Sequence, residues 1–291
     1  MTFSIVAIDI ATGEVGAAVA SKFLAVGNIV PWVEAGRGAV ATQALCNASF
    51  GPEGLALLGG TPAEEVLATL LGRDARPDRR QIGMVDARGG AASHTGSGCQ
   101  PWAGHRSGPG YACQGNCLAG PQVIEAMAAA YEASTGPLHA RLLAALSAGD
   151  QSGGDRRGRP SAAIKVKRKG AGYQGLGDTA LDLRVDDHPA PLVEMVRLFA
   201  LHDLYFPTGI QERLRLEGAV LAEFTTIMRK SGWPAPETSG WSPAMSAAID
   251  AFTGNENLEE RVDLEARTID RVALEHLRYV HSPPPSRDLL T

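Results

Sequence analysis

The first twenty residues place two very different strands next to each other, and this pair limits the fold more than any other feature of the chain. Residues Thr2–Asp9 are rich in Ile, Val and Phe, which is typical of a strand buried on both faces. A turn follows, in which Gly13 can adopt the positive φ that a hairpin needs. The next strand, Val15–Ala20, has Gly or Ala at four of its six positions. Because small side chains let another layer approach closely, the sequence predicts a hairpin packed tightly between layers.

Beyond this hairpin, strands alternate with pairs of helices. Strands are predicted at 29–34, 38–44, 81–86, 91–95, 111–116, 161–167 and 179–185, and helices at 52–58, after Thr61, at 120–134, 137–148 and 191–205. Thr61 and Pro62 supply an N-cap and a first-position proline, and residues 96–110 are predicted as a long loop. Strands joined by hairpins and separated by helix pairs favour an α+β fold of antiparallel sheets with helices outside. A parallel sheet would need a crossover between each pair of strands.

The composition changes after residue 206. Residues 210–280 show helical periodicity only, with a glycine stop at Ser231–Gly232 and a new start at Ser242–Pro243. We therefore predict an αβ domain at 1–206, a small all-α domain at 207–281 and a disordered tail at 282–291, which contains three consecutive prolines.

Composition and motifs exclude several classes of function. The chain has 291 residues and a net charge of −5, and this mild acidity argues against a nucleic-acid partner. The start lacks a basic segment, and its apolar run is interrupted at Asp9, so no signal peptide is expected. No apolar run reaches the ~20 residues that span a membrane. The expected protein is cytoplasmic and has no membrane partner.

No metal or cofactor is expected either. The four cysteines are read as free thiols, as in a reducing cytoplasm. The spacing of Cys99, His105, Cys113 and Cys117 fits none of the usual zinc knuckles. Neither a phosphate-binding loop nor the Rossmann glycine spacing occurs, and the G-x-S-x-G elbow of serine hydrolases is missing.

Thr2 is the one residue whose position itself suggests chemistry. Removal of Met1 would leave the α-amine of Thr2 next to its own hydroxyl. A free α-amine has a pKa near ~8 and can accept the hydroxyl proton. Threonine paired with its N-terminal amine is a known nucleophile and base. The alternative is that Thr2 is there for its β-propensity alone.

Several separated segments resemble a bacterial family, domain of unknown function 1028: TFSIVAIDIATGEVGAAVASKFLAVGNIVPWVEAGRGAVATQA, GPEGLALL, WAGH, YACQGNCLAGPQVIEAM and GDQSGGDRRGRPSAAIKVKR. The resemblance covers residues 2–202. The resemblance implies membership of the N-terminal-nucleophile (Ntn) hydrolase superfamily, whose fold is a four-layer αββα sandwich and whose known members cleave amide bonds. Since members of this superfamily commonly form homo-oligomers, it also implies a homo-oligomer. It implies a mechanism class and no particular substrate.

Residues 216–280 resemble a domain assigned to peptidoglycan binding that accompanies some members of the family. The segments that carry this are LEGAVLAEFTTIMRKSGW, AMSAAIDAFTGNENLEERV and IDRVALEHLR. A contact with a glycan is one interpretation. A structural helical module is favoured, because apolar stripes mostly build core.

Three further residues would complete the catalytic site. Lys22 resembles the lysine that proteasome-type Ntn enzymes hold near their threonine, where its charge would lower the pKa of the nucleophile and the amine; an exposed strand-end lysine is the alternative. Asn116, beside Gly115, is a candidate oxyanion donor, or a turn residue. Asp155 could orient the α-amine or pair with Arg157.

Substrate contacts are predicted from the polar cluster GGDRRGRPS, residues 153–161. Arg157 or Arg159 could grip a substrate carboxylate in bidentate fashion. A solvated charge run is the alternative, but the cluster leads directly into a strand that would hold it rigidly. Two further candidates, Glu34 and His94, lie near strand ends; the alternative is that each is a surface residue or a polar residue with structural partners.

Two hypotheses for the function therefore remain. In the first, the protein is an amidohydrolase with Thr2 as nucleophile, acting on a small or peptide-like amide. In the second, the fold is retained without catalysis in a binding or scaffold protein, whose C-terminal helices contact a partner or a glycan. Whether Met1 is removed distinguishes the two hypotheses, because a retained Met1 would block the α-amine of Thr2.

Overall fold

The structure is a computed structural model and describes residues 2–154, 158–207, 210–237 and 240–281. It divides into two compact units, Met1–Phe199 and Ala200–Thr291. The predicted domain division after residue 206 stays a prediction. The predicted disordered tail, 282–291, lies outside the described residues. Within the described ranges, no helix has both the length and the apolar character needed to cross a bilayer.

The described part of the first unit contains ten strands: β1 Thr2–Asp9, β2 Glu14–Ser21, β3 Pro31–Glu34, β4 Gly38–Ala44, β5 Arg80–Asp86, β6 Ala91–Thr95, β7 Gly104–Gly108, β8 Tyr111–Asn116, β9 Ser161–Lys167 and β10 Thr179–Val185. They form a six-stranded sheet, β10-β9-β2-β1-β8-β7, and a four-stranded sheet, β3-β4-β5-β6. All neighbouring strands in both sheets run antiparallel. The predicted α+β class with antiparallel sheets is confirmed.

Five α-helices begin in the described residues of this unit: α1 Phe50–Leu58, α2 Ala63–Arg73, α3 Gln122–Ala133, α4 Leu138–Gln151 and α5 Pro191–Tyr205. The bounds of α5 and of six strands, β1, β4, β6, β8, β9 and β10, are those that the sequence predicts. In these elements the apolar residues recur with a clear period, and turn-forming residues stand at both ends. The local sequence pattern is therefore enough to predict their bounds.

Alternation of side chains along the central strands places the two sheets face to face. On β1, Phe3 and Ile5 pack with residues of α3 and α4, whereas Val6 and Ile8 pack with residues of β3, β4 and β5. The other face of the four-stranded sheet, which includes Val40, packs with α1 and α2. The packing order is therefore two helices, the six-stranded sheet, the four-stranded sheet and two helices.

The small residues of β2 have the role that the sequence suggests for them. A Cβ on Gly16 would lie 2.8 Å from Cδ1 of Leu142, in α4, and 3.0 Å from the carbonyl oxygen of Lys165, in β9. Helix α4 thus lies directly on this part of the sheet, and any larger side chain would push it away.

The segment 96–110 and the strand predicted from Ile29 differ from the sequence prediction. Residues 96–110, predicted as a loop, contain β7, which is too short and too polar to show a strand pattern. The strand predicted from Ile29 starts at Pro31, because Val26–Asn28 form a short 3₁₀ turn.

The N-terminus of α2 is capped by a residue distant in sequence. Thr61 does not cap it: the helix starts at Ala63, and no side chain of the capping position accepts its N–H groups. Instead, the Ala63 N–H donates to Oδ2 of Asp86 at 3.0 Å. Oδ1 of Asp86 also accepts the N–H groups of Arg88 and Gly90. A carboxylate at a helix N-terminus is favourable, since it satisfies an N–H and complements the helix dipole.

The second unit corrects the prediction of an all-α domain. It contains helices α6 Gly218–Lys230, α7 Pro243–Asn255 and α8 Arg271–His281, with strands β11 Arg213–Arg215, β12 Val262–Asp263 and β13 Thr268–Asp270. The strands form an antiparallel sheet, β11-β13-β12. Strands of two or three residues carry no alternation that a sequence pattern can reveal. The predicted start of α7 is confirmed, since Ser242 Oγ accepts the Met245 N–H at 3.1 Å.

A buried ion pair ties this small sheet together. The carboxylate of Asp270 is 1% exposed and lies 3.0 Å from Nη1 of Arg261, itself buried. Its other oxygen lies 3.2 Å from Nε of Arg213. A buried carboxylate requires such partners, because its desolvation is otherwise uncompensated.

We predict that Asp270→Ala destabilises the second unit by ~3–5 kcal/mol, because it leaves the Arg261 guanidinium buried without a counter-charge. Hydrogen exchange of peptides from 210–281 measures the loss. Glu212→Ala is the matched control: it removes the exposed partner of Arg271, 2.6 Å away, and no measurable change is expected. Equal exchange in the two variants would contradict the prediction.

Candidate functional site

The register of four strands aligns four polar side chains in one row at the end of the six-stranded sheet. Thr2 of β1 pairs with Asn116 of β8 on one side and with Ser21 of β2 on the other. Ser21 in turn pairs with Ser161 of β9. Directly paired residues of antiparallel strands share one face. We call Asn116, Thr2, Ser21 and Ser161 the polar row.

Thr2 is held by its neighbour in this row. Its side chain is buried at 7% exposure, and its Oγ1 lies 3.0 Å from Oγ of Ser21. The Ser21 hydroxyl also accepts the N–H of Phe23 at 3.0 Å. The hydroxyl of Thr2 therefore sits beside a second hydroxyl whose position is fixed by backbone.

Ser161 fixes the segment that follows β2. Its hydroxyl donates to the carbonyl oxygen of Phe23 and accepts the N–H of Val26 at 3.4 Å. Phe23 and Leu24 are exposed, at 57% and 65%. Two apolar side chains are thus presented to solvent on a segment whose backbone is tied to the polar row.

The polar row faces the four-stranded sheet. Ser4, two residues after Thr2 and so on the same face, donates to Oε1 of Gln43 at 2.7 Å. The Gln43 amide donates to the carbonyl oxygen of Thr2 at 3.3 Å and to Oε1 of Gln81 at 2.8 Å. Oε1 of Gln81 also accepts from Nδ2 of Asn116 at 2.8 Å. Thr2 and Asn116 are therefore connected through two glutamines of the opposite sheet.

A third glutamine completes the network between the sheets. Gln114 Nε2 donates to the Ser4 hydroxyl at 2.6 Å. Gly83 of β5 makes room for it: a Cβ there would lie 1.9 Å from Gln114 Oε1. A glycine in the middle of a strand often marks such a close approach.

The network continues to the edges of both sheets. Gln81 Nε2 donates to Thr95 Oγ1 at 2.9 Å, and this oxygen lies 2.9 Å from Nδ1 of His105 on β7. Loss of hydration, together with the charge of His94, lowers the pKa of His105. The ring is therefore neutral at pH 7 and can accept the Thr95 hydroxyl proton through Nδ1.

The structure brings together two of the predicted site residues, Thr2 and Asn116. Lys22 directly follows Ser21 but is exposed. Asp155 and Arg157 lie outside the described residues. The Arg159 guanidinium is engaged by the carboxylate of Asp150, in α4. The role predicted for Arg159 stays a prediction, and any substrate carboxylate would compete with Asp150.

Glu34 and His94 are placed away from Thr2. Glu34 pairs with Gly38 at the start of β4, five residues along the strand from Gln43, or about 17 Å at ~3.4 Å per residue. Its carboxylate lies 2.9 Å from Arg37. His94 pairs with Ile82, whose side chain packs on the helix side of the four-stranded sheet. The His94 ring contacts the Pro77 carbonyl oxygen at 2.8 Å, so it points away from the polar row.

Several site residues were missed from sequence: Ser4, Ser21, Gln43, Gln81, Gln114 and Ser161. Each is a polar residue inside, or at the end of, an otherwise apolar strand, and each is at most 1% exposed. That signal could have found them, because a polar residue on a buried strand face requires partners. Which residues partner each other depends on the register of the two sheets.

Three of the four cysteines are poor candidates for an alternative nucleophile. Burial raises the pKa of Cys46, Cys99 and Cys113, so these thiols stay protonated at neutral pH and react slowly. All four cysteines are free. Within the described ranges, no three His, Cys, Asp or Glu side chains cluster so as to hold a metal ion.

Comparison with known proteins identifies relatives of the first unit. The model of a family of unknown function, DUF1028, matches residues 2–195. A Silicibacter pomeroyi protein of that family, solved as a crystal structure, is 32% identical with a TM-score of 0.64, over 72% of this chain and 87% of that chain.

A more distant similarity is to Anbu (ancestral beta-subunit) from Yersinia bercovieri, with 11% identity and a TM-score of 0.31, over 73% of this chain and 100% of that chain. No curated protein matches the sequence. The family model spans well over half of the chain, and the Silicibacter pomeroyi relative exceeds 30% identity. The chain therefore belongs to the DUF1028 family, whose function is unknown.

Proposed function

We propose that this protein is an Ntn-type amidohydrolase that cleaves an amide bond in a small or peptide-like substrate, with Thr2 as its nucleophile. The observation that carries the proposal is the placement of Thr2. It is the first residue of a central strand, its hydroxyl lies 3.0 Å from a second hydroxyl, and its own carbonyl oxygen is held by Gln43. A nucleophile needs such rigid support.

The packing order supports the fold that this mechanism uses. Helices α3 and α4, the two sheets, and helices α1 and α2 follow one another. A four-layer αββα sandwich of the Ntn-hydrolase kind has this order. In the proposal, Thr2 is the first residue of the central strand β1, and its side chain lies between the two sheets.

The first half of the reaction forms an ester. Once the residue before Thr2 has been removed, the α-amine of Thr2 takes the proton of Oγ1. Oγ1 then attacks the amide carbonyl carbon, whose oxygen becomes an oxyanion. When the C–N bond breaks, the ammonium of Thr2 returns the proton to the departing amine. The acyl group remains as an ester on Thr2.

The second half releases the acid. The α-amine takes a proton from water, which attacks the ester carbonyl. Cleavage of the bond between this carbonyl and Oγ1 gives the carboxylic acid, and Oγ1 recovers a proton from the ammonium. The enzyme returns to its starting state, with one water consumed per amide.

Asn116 is the proposed oxyanion donor in both halves. It is paired with Thr2 across β1 and β8, and its bond to Gln81 fixes the carboxamide. An amide nitrogen carries two hydrogens, so this bond occupies one of them. A preorganised donor of this kind stabilises the charge that develops on the carbonyl oxygen.

Lys22 contributes weakly in this proposal. It is exposed, and water screens the interaction of an exposed charge with Thr2. The central groups are therefore Thr2, its own amine and Asn116.

We predict that Thr2→Ala abolishes covalent labelling by a β-lactone, whereas Thr2→Ser keeps it. Attack of Oγ1 opens the lactone ring, so the intact mass rises by the whole lactone and peptide mapping places the ester at residue 2. A panel of small acyl-anilides measures turnover in parallel, and Thr2→Ala should show none.

Thr12→Ala is the matched control. It removes an exposed threonine hydroxyl in the turn of the first hairpin, so both labelling and turnover should persist. A Thr2→Ala variant that is labelled or active like the parent would contradict the proposal, because the reaction would then not need the Thr2 hydroxyl.

We predict further that reactivity requires the amine of Thr2 to be free. A chain released from a cleavable fusion to begin at Thr2 should react with the β-lactone, and its rate should rise with pH as an amine of pKa near ~8 loses its proton. A chain with one glycine before Thr2 should be inert, because its amine lies one residue away. Equal rates in the two chains would contradict this.

A further inference from the structure

We infer that Ser21 is a catalytic hydrogen-bond donor to Oγ1 of Thr2, the atom that forms and breaks the ester. This inference rests on the proposed function and adds a group that the sequence did not single out. Ser21 qualifies as catalytic because it contacts a reacting atom directly: the two hydroxyl oxygens lie 3.0 Å apart.

The position of the Ser21 hydroxyl is fixed from two directions. Ser21 is fully buried and is the last residue of β2, paired with Thr2 on one side and with Ser161 on the other. The Phe23 N–H donates to Ser21 Oγ at 3.0 Å. A group held in this way needs no reorganisation when charge appears next to it.

The proposed mechanism sets one direction for the hydrogen bond between Ser21 and Thr2. A serine hydroxyl can donate its own proton while its oxygen accepts others, and the Phe23 N–H donates to the Ser21 oxygen. In the proposed mechanism, the Thr2 hydroxyl proton goes to the α-amine. Oγ1 of Thr2 then offers lone pairs towards Ser21, so the bond between them runs from Ser21 to Thr2.

A donor at this point acts in both halves of the reaction. When the α-amine takes the proton of Thr2, negative charge develops on Oγ1, and a hydrogen bond to a charged oxygen is stronger than one to a neutral hydroxyl. The same charge develops on Oγ1 when water displaces it from the ester. Ser21 forms no bond to substrate and transfers no proton, so the balance of the reaction is unchanged.

Two other serines serve as controls that distinguish a catalytic role of the Ser21 hydroxyl from a purely structural one. Ser161 is equally buried and lies in the same row, but its hydroxyl donates to the backbone of Phe23 and not to Thr2. Ser93 forms a hydroxyl pair with Ser107 at 2.8 Å between the sheet edges, which is the same chemistry at a place without a reacting atom.

The test measures turnover of the best acyl-anilide and β-lactone labelling in Ser21→Ala, Ser21→Thr, Ser161→Ala and Ser93→Ala. We expect Ser21→Ala to lower kcat by ~10–100-fold, as for loss of a hydrogen bond to a charged group. KM should change little, and labelling should slow by a similar factor. Ser21→Thr keeps the hydroxyl and should recover most of the rate, and Ser93→Ala should match the parent.

Each outcome decides the matter. A Ser21→Ala variant that is folded by circular dichroism and as fast as the parent overturns the role of Ser21, and an inactive Thr2→Ala variant then leaves the proposed function standing. An equal loss in Ser161→Ala and Ser21→Ala also overturns it, because both would then act through the segment after β2. An active Thr2→Ala variant overturns both.

Discussion

The need to satisfy buried carboxamides between two sheets governs the architecture of the first unit. Gln43, Gln81 and Gln114 are each at most 1% exposed, and a buried amide without partners costs several kcal/mol of stability. Both polar groups of Gln43 and Gln81, and the side-chain nitrogen of Gln114, have partners on the opposite sheet or the neighbouring strand. The relative position of the two sheets is therefore fixed, since sliding one sheet over the other would separate these buried groups from their partners.

This constraint extends to the first residue of the fold. The ends of chains are usually poorly ordered unless they are tied down. Thr2 is tied down by strands on both sides, by the Gln43 amide on its carbonyl oxygen and by Ser21 at its hydroxyl. Gln81 connects this support to Asn116, so the residues of the polar row and the facing glutamines form one hydrogen-bonded unit.

The parts that the sequence predicts correctly are those in which one local pattern decides. The hairpin of β1 and β2 follows from an apolar run, a turn and a run of small residues, and the close packing of α4 on Gly16 agrees with that composition. The errors lie where local pattern is weak. Strand β7 is a short polar segment that becomes a strand through pairing with β8, and the cap of α2 comes from Asp86, twenty-three residues away from Ala63.

The sequence by itself determined that the chain forms antiparallel sheets with helices, and that Thr2 begins a buried strand. The period of apolar residues and the positions of turn residues depend only on neighbouring residues, so strands and helices can be predicted from them directly. The tertiary structure alone decided which polar residues meet. Ser21 lies nineteen residues from Thr2 and Gln43 forty-one, and only the register within one sheet and the packing of one sheet on the other bring them together, because such contacts depend on the whole chain rather than on a neighbouring pattern.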